Sequence, residues 1–352
     1  MKICYVVPAI VNKAPILVVM QLCEQMLRSG HDVTVLFFDE RVELELLQGV
    51  KFERVGFYKA FDFSDYDVVH SHLLRADAFV FRNKTFFSKK VHYVSTLHNY
   101  VERELYFHYN KLVSIVFSVV WNICWLRHDR LVVLSDDAVK YYSKFSYNKN
   151  IVRVYNGRDI LIDYGLIEDW CAFEINKLKA SVDFLLGTYC VLTATKGVDQ
   201  LVKLSSVNTR AGLVVIGDGP AKKSLQELSV SLGVDGRCVF LSSIPYAHQC
   251  NIFFDVFAMP SRSEGFGLAL IEAALHSKKI VCSDIPIFRE LFTEEAVCFF
   301  KIDDISSLDA AVRSCVVDES KGSAVLNVAR QRYSSFAMAS NYLKVYEGLT
   351  SD

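Results

Sequence analysis

The feature that most constrains this chain is an alternation that runs its whole length, of short β-branched apolar runs with segments whose apolar residues recur at a helical period. In the first half Ile3–Val7, Val33–Phe38, Val68–His70, Val91–Thr96, Leu131–Leu134 and Ile151–Val154 read as strands. Their continuous apolar character fits a parallel sheet covered on both faces. Between the first two, Leu17, Leu22, Met26 and Leu27 form one helical face that stops at Ser29-Gly30. Strand, helix, strand is the unit of a doubly wound domain.

The pattern breaks over residues 156–182, which open with Asn156-Gly157 and carry no clean strand period. It restarts with Phe184–Leu192, Leu213–Ile216, Cys238–Leu241, Val256–Met259, Ile280–Cys282 and Val297–Phe300, separated by helix-like spacers such as Lys222–Leu232. The expected class is α/β, with two Rossmann-like doubly wound domains facing each other across a cleft. Residues 1–160 form the first, 161–182 a linker and 183–330 the second, followed by a terminal segment, 331–352. A ligand is expected in the cleft, at strand C-terminal ends.

Composition agrees with two cores. The chain has 352 residues, 52% hydrophobic and 22% charged, which excludes a disordered tail, a collagen and a small disulfide scaffold. Its 39 Lys and Arg against 40 Asp and Glu argue against nucleic acid as the main partner. Residues 1–160 carry 21 basic and 17 acidic side chains, and the remainder 18 and 23. A modestly basic first half suits an anionic acceptor or a membrane surface, and an asymmetry this small is as often neutral surface variation. The ten cysteines are scattered without a C-x-x-C and read as small buried hydrophobes of a reducing compartment. The start, Lys2 with Ile3 to Val11, is interrupted by Pro8, closed by Asn12-Lys13 and lacks a cleavage pattern, so a cytoplasmic location is expected.

Two stretches bear on membranes. Leu112–Leu126 is apolar but, at about 15 residues, short of a spanning helix. Ser114, Ser118 and Asn122 recur every fourth residue in it, one polar stripe on a helix that otherwise faces protein, so a buried helix is expected ahead of an interfacial one. The run Phe79–Tyr93 sets Arg82, Lys84, Lys89 and Lys90 among Phe79, Phe81, Phe86 and Phe87. It fits either contact with a membrane face or ordinary amphipathic packing.

Chemistry concentrates between Pro260 and Ala274. The segment follows the strand Val256–Met259, holds two glycines that let backbone approach a ligand, and turns into an Ala/Leu-rich helix. Amides at that helix start, at the positive end of the dipole, can hold a diphosphate. Glu264 and Glu272, eight residues apart, are expected about two turns apart on nearly one face. Carboxylates repel phosphate, so the pair is assigned to hydroxyls, one on a sugar and one on a ribose. A helix cap beside a solvated Glu is the plainer alternative.

Glu264 and Glu272 form an E-x7-E motif, and the sequence around them resembles the retaining GT-B glycosyltransferases of family 4. The likeness continues in Ser29-Gly30-His31-Asp32-Val33-Thr34-Val35, Asp67-Val68-Val69-His70-Ser71-His72, Asn156-Gly157-Arg158-Asp159, Lys196-Gly197-Val198-Asp199 and Gly217-Asp218-Gly219-Pro220. Weak motifs in the right order are together specific. The resemblance implies a GT-B fold whose C-terminal helix, 331–352 with Asn341–Tyr346, returns to an acceptor-binding first domain.

It further implies that a hexose passes from a nucleotide-sugar donor to a hydroxyl of a glycan or glycolipid acceptor, with anomeric configuration kept and without metal or cofactor. The setting would be surface polysaccharide, lipopolysaccharide or lipid-linked glycan assembly, with peripheral contact at the inner face of the cytoplasmic membrane. Glu264 would orient the donor sugar, and the backbone of Gly265, Phe266, Gly267 and Leu268 would face sugar and diphosphate. Glu272 would take the ribose hydroxyls, Lys196 the diphosphate as charge grows on it, and His98 the sugar near its reacting carbon. Gly217 and the Ile244 backbone, in the loop Ser242–Pro245, would complete the donor site.

Family members usually carry Arg five residues before the lysine, where this chain has Val191, and a Gly-Gly-like loop where it has Val11-Asn12-Lys13-Ala14-Pro15. Lys13 would compensate. His70 and His72 are expected to leave their strand on opposite sides, which argues against a shared metal and assigns them to packing or the acceptor side. Asp65-Tyr66-Asp67 is a formal D-x-D but precedes its strand instead of following it. A noncatalytic sugar-nucleotide-binding or scaffold subunit and a sugar-nucleotide epimerase are the alternatives. A nicotinamide dehydrogenase is disfavoured, since no G-x-G-x-x-G follows the first strand.

Overall fold

The computed structural model describes residues 1–84, 91–101 and 111–350. It divides into two compact units, residues 1–159 with 333–352, and residues 160–332. In the first, strands β1 (Lys2–Val7), β2 (Asp32–Phe37), β3 (Lys51–Arg54), β4 (Val68–His72), β5 (His92–Leu97), β6 (Arg130–Val133) and β7 (Ile151–Arg153) form one sheet in the order β3-β2-β1-β4-β5-β6-β7. In the second, β8 (Phe184–Tyr189), β9 (Ala211–Ile216), β10 (Cys238–Leu241), β11 (Val256–Met259), β12 (Lys279–Ser283) and β13 (Cys298–Phe300) lie in the order β10-β9-β8-β11-β12-β13. All pairings are parallel. Both sheets reverse direction of growth beside their first strand, the switch point where α/β sheets bind ligands.

Helices α1 (Ala14–Arg28), α2 (Leu74–Asn83), α3 (Lys111–Trp125) and α4 (Asp136–Phe145) connect the first sheet. A proline opens α1 and Gly30, at φ +79°, follows its end, so each terminus uses the residue whose backbone suits it. The second unit holds α5 (Asp169–Lys179), α6 (Val198–Val207), α7 (Lys222–Ser231), α8 (Leu268–Leu275), α9 (Pro286–Leu291), α10 (Ile305–Val317) and α11 (Ser320–Arg332). The C-terminal helix α12 (Ser335–Thr350) packs on α1 and β5 of the first unit.

Three elements differ from the sequence reading. Residues 161–182, expected as a linker, contain α5, which buries Cys171, Ile175 and Leu178 against β9 and β10 and so belongs to the second core. Strand β3, with the sequence Lys-Phe-Glu-Arg, escapes an apolar filter because it is a charged edge strand. The third is α3. Its stripe of Ser114, Ser118 and Asn122 is buried, while Leu112, Ile115, Val116, Val119 and Ile123 are exposed, the reverse of the expected buried helix.

Buried Asp77 explains that inversion. Its carboxylate accepts from Ser71 and Ser95 hydroxyls at 2.6 and 2.8 Å and from the indole N–H groups of Trp121 and Trp125 at 2.8 and 3.1 Å. Four donors satisfy a charge that burial would otherwise penalise. They also fix which side of α3 meets the protein.

The ten cysteines are free, and eight are buried. Among the described residues no helix is long and apolar enough to cross a membrane. Of the aromatic and basic run, Phe86, Phe87, Lys89 and Lys90 lie outside the described residues. Arg82 holds the Phe57 and Lys59 carbonyls, and Lys84 pairs with Asp129 at 3.1 Å.

Candidate functional site

At the switch point of the second sheet, β8 and β11 lie side by side and release their chains at the same edge. After β8 the chain reaches a 3-10 turn, Ala194–Lys196, and after β11 it runs from Pro260 to Gly267. Lys196 Nζ donates to Glu264 Oε1 at 2.6 Å, and Ser261 Oγ donates to the same oxygen at 2.8 Å. The Lys196 side chain is 27% exposed and that of Glu264 8%. The ammonium is thus open to an incoming anion, while the carboxylate has left most of its water.

Two clamps hold these loops together. Arg262 grips Asp199 with both terminal nitrogens at 2.9 Å, donates to the Ala194 carbonyl at 2.8 Å and also reaches Asp303. Buried Gln200 donates to the Pro260 carbonyl at 2.9 Å and accepts the Asp303 amide at 2.7 Å. Gly197 sits between them at φ +64°, and a Cβ there would lie 2.1 Å from the Pro260 carbonyl oxygen. Only glycine permits this approach. Sequence reasoning missed Ser261, Arg262 and Gln200, although the first two stand within three residues of Glu264.

A second set of loops borders them. Gly217, at φ +146°, brings its turn so close to the chain after β8 that a Cβ would meet the Cys190 carbonyl oxygen at 2.0 Å. Asp218 then accepts the Ser243 amide at 2.7 Å and the Lys222 ammonium at 2.7 Å, and Lys222 also donates to Ser242 Oγ at 2.9 Å. The loop carrying half-buried Ile244 is tied in this way to the Gly217 turn. Val191 is 61% exposed on the intervening chain.

The two glutamates are not two helical turns apart. Helix α8 begins only at Leu268, after Gly267 at φ +92°, so Glu264 lies on the preceding loop and Glu272 in the second turn of the helix. The eight-residue helical advance expected from sequence therefore does not apply, because the glycine turn breaks it. Glu272 is 7% exposed. No side chain caps the start of α8, and the Phe266 and Leu268 side chains are buried. Only the backbone of Gly265, Phe266, Gly267 and Leu268 is left to meet a ligand at this helix start.

In the first unit, His98 follows β5 and its Nε2 lies 2.8 Å from His72 Nδ1. His70 and His72 do not point to opposite sides. Their ring centroids are 4.3 Å apart, because residues two apart in a strand share a face. His70 bonds Tyr346 OH and Thr96 Oγ1, both at 2.7 Å, tying β4 and β5 to α12. His72 Nε2 is buried without a partner. The tautomer that leaves no buried N–H orphaned has His72 donating from Nδ1 to His98 Nε2, with the His98 proton on Nδ1. Burial lowers the His98 pKa to about 3, and those of His70 and His72 well below the ordinary value.

The remaining candidates lie elsewhere. Asp67 Oδ2 accepts the Lys2 amide at 2.7 Å, so the D-x-D sits at the N-terminal edge of the sheet and secures β1. Among the described residues no group of three or more His, Cys, Asp or Glu is placed to hold a metal ion. Lys13 is exposed at the start of α1.

Comparison with known proteins supplies an independent reading. Residues 174–332 match the family described as Glycosyl transferases group 1, and residues 17–160 match Glycosyltransferase Family 4. The chain is 30% identical over 356 residues to an O-antigen biosynthesis glycosyltransferase, WclY, of Escherichia coli, covering 99% of each. Sucrose-phosphate synthase from Thermosynechococcus elongatus superposes with a TM-score of 0.80 at 16% identity over 99% of both chains. Anabaena HepE in complex with UDP and glucose superposes at 0.79 and 17% identity, over 99% of this chain and 100% of that one. At such identities the two structures speak to the fold alone.

Proposed function

The chain belongs to the GT-B glycosyltransferases of family 4, and on that footing we propose that it moves a hexose from a nucleotide-sugar donor to a hydroxyl of a glycan or glycolipid, keeping the anomeric configuration. The observation that carries this reading is the Lys196–Glu264 pair at the switch point of the second sheet. Ammonium and carboxylate neutralise each other there until a donor arrives. The diphosphate draws Lys196, which stabilises the charge that develops as the bond from the anomeric carbon to phosphate oxygen breaks. Glu264, held by Ser261, is released to accept hydrogen bonds from the sugar.

The α8 backbone start receives the diphosphate, Glu272 the ribose, and Gly217 and Ile244 the neighbourhood of the base. His98 donates from Nδ1 to the sugar, held in that tautomer by His72. The acceptor oxygen attacks on the face from which the diphosphate leaves, and its proton passes to the departing phosphate oxygen. The protein's part is positioning and charge stabilisation, without metal. The O-antigen biosynthesis relative supports a glycan acceptor, and HepE, a neighbour in fold, is known in complex with UDP and glucose. The setting we assign is the cytoplasm, in peripheral contact with the inner face of the membrane.

The test is donor turnover by the full chain with a panel of nucleotide-sugars, followed by mass spectrometry and by NMR of the anomeric linkage. Lys196→Ala loses a charge-assisted contact worth ~1.5–3 kcal/mol, a rate loss of roughly ten- to a hundredfold. Glu264→Ala is expected to lose at least as much, Lys223→Ala nothing, and a chelator nothing. Equal turnover by wild type and both site variants would remove the site assignment, and an inverted linkage the mechanism.

A further inference from the structure

We propose that two copies of the chain pair about a two-fold axis, with α5 of one packed antiparallel on α5 of the other. The surface that does this is apolar and lies within the second unit. Leu161 and Tyr164 precede α5, Trp170 and Phe173 stand on it, and Tyr246 and Ile252 lie at the two ends of the 3-10 turn Ala247–Ile252, with exposures from 39% to 73%. Three contacts join these pieces. The Cys171 sulfur, on the buried side of α5, is 3.8 Å from that of Cys250 in the turn. Beside it Gln249 donates to the Leu161 carbonyl at 2.6 Å and accepts the Asp163 amide at 3.2 Å. Helix, turn and preceding segment are therefore fixed to one another before any partner arrives, so little ordering opposes docking.

Area and charge choose a second copy as the occupant. At ~150–250 Å² for each large side chain, the six present on the order of 800 Å², which is what each partner of a standard interface buries and more than a monomer ordinarily leaves bare. Charge then sets the geometry. On the exposed side of α5, Asp169 and Lys177 stand four residues before and four after Phe173, about one helical turn to either side on the same face. A two-fold axis through Phe173 brings Asp169 of each copy opposite Lys177 of the other, while the two phenyl rings meet at the centre. Parallel pairing would set like charges against each other, and opposed helix dipoles favour the antiparallel arrangement as well. An anionic bilayer finds no such match. Residues 159–174 carry Asp159, Asp163, Glu168, Asp169 and Glu174, and no cation intervenes before Lys177.

Sedimentation velocity of the full chain over a concentration series tests this. The wild type is expected to pass from monomer to dimer as concentration rises. Phe173→Glu alters a side chain that is 66% exposed and sets two carboxylates at the axis, so the dimer is expected to weaken about a hundredfold. Asp169→Lys makes both cross-axis pairs repulsive and is expected to weaken it about tenfold, whereas Asp169→Lys/Lys177→Asp reverses both pairs without losing either and restores it to within about threefold. That recovery separates a contact across the axis from damage to the fold. A wild type that stays monomeric, a dimer that Phe173→Glu leaves intact, or a charge swap that fails to restore it would overturn the proposal. So would a monomer that floats with neutral phosphatidylcholine vesicles unless Phe173 is changed, which would give this surface to a bilayer.

Discussion

Burial of His70, His72 and His98 sets a pH limit on this protein. Burial is the leading cause of the lowered pKa in all three, so the folded chain keeps them neutral while the unfolded chain titrates them near ~6.5. Above that pH neither state binds their protons and nothing is lost. As pH falls from about 6.5 toward the folded value, near 3 for His98, the unfolded state takes up protons that the fold refuses, and stability falls. At pH 5.5 each such histidine removes about 1 kcal/mol. The expected outcome is a urea midpoint that drops steeply between pH 7 and 5.5, and a flat profile over that window would contradict the neutral assignment. The three histidines were visible in the sequence, but their arrangement was misread through the strand period. Asp77 left no signal at all. Its partners lie 6, 18, 44 and 48 residues away, a convergence that only the fold creates.

Elements built around a motif were legible, and elements defined by packing were not. The loops around Lys196, Gly217 and Glu264 advertise themselves because glycines are needed where backbone meets backbone. Helix α5 carries no such mark, since its three buried residues only acquire meaning once β9 and β10 lie beneath them. Orientation of α3 was equally hidden, because a stripe of serines and an asparagine on an apolar helix reads as its wet side unless Asp77 is known to wait underneath. Asp77→Ala is expected to remove the acceptor of two indole N–H groups and of the Ser95 hydroxyl, while Ser71 keeps the Val94 carbonyl and His128, at a cost of ~3 kcal/mol or more. Chemical denaturation checks this, and a loss below ~1 kcal/mol would mean that water replaces the carboxylate.

Each unit repeats one plan, a parallel sheet ordered outward from its first strand in both directions. Buried parallel strands are largely apolar, which is why twelve of the thirteen strands among the described residues could be found by that property. The exception is β3, where Lys51, Glu53 and Arg54 occupy three of four positions and Lys51 pairs with Glu53 at 2.8 Å. A parallel sheet has no intrinsic reason to stop growing, since its outermost backbone still offers hydrogen bonds to any extended chain that drifts past. Hydrated side chains on that rim guard the β3 edge of the first sheet. With Lys51, Glu53 and Arg54 all changed to valine, neighbouring molecules are expected to add strand to strand into thioflavin-binding filaments, whereas a triple variant that stays monodisperse would show that something other than charge ends the sheet. The rim at β3 is thereby guarded by three charged side chains that take no part in sugar chemistry.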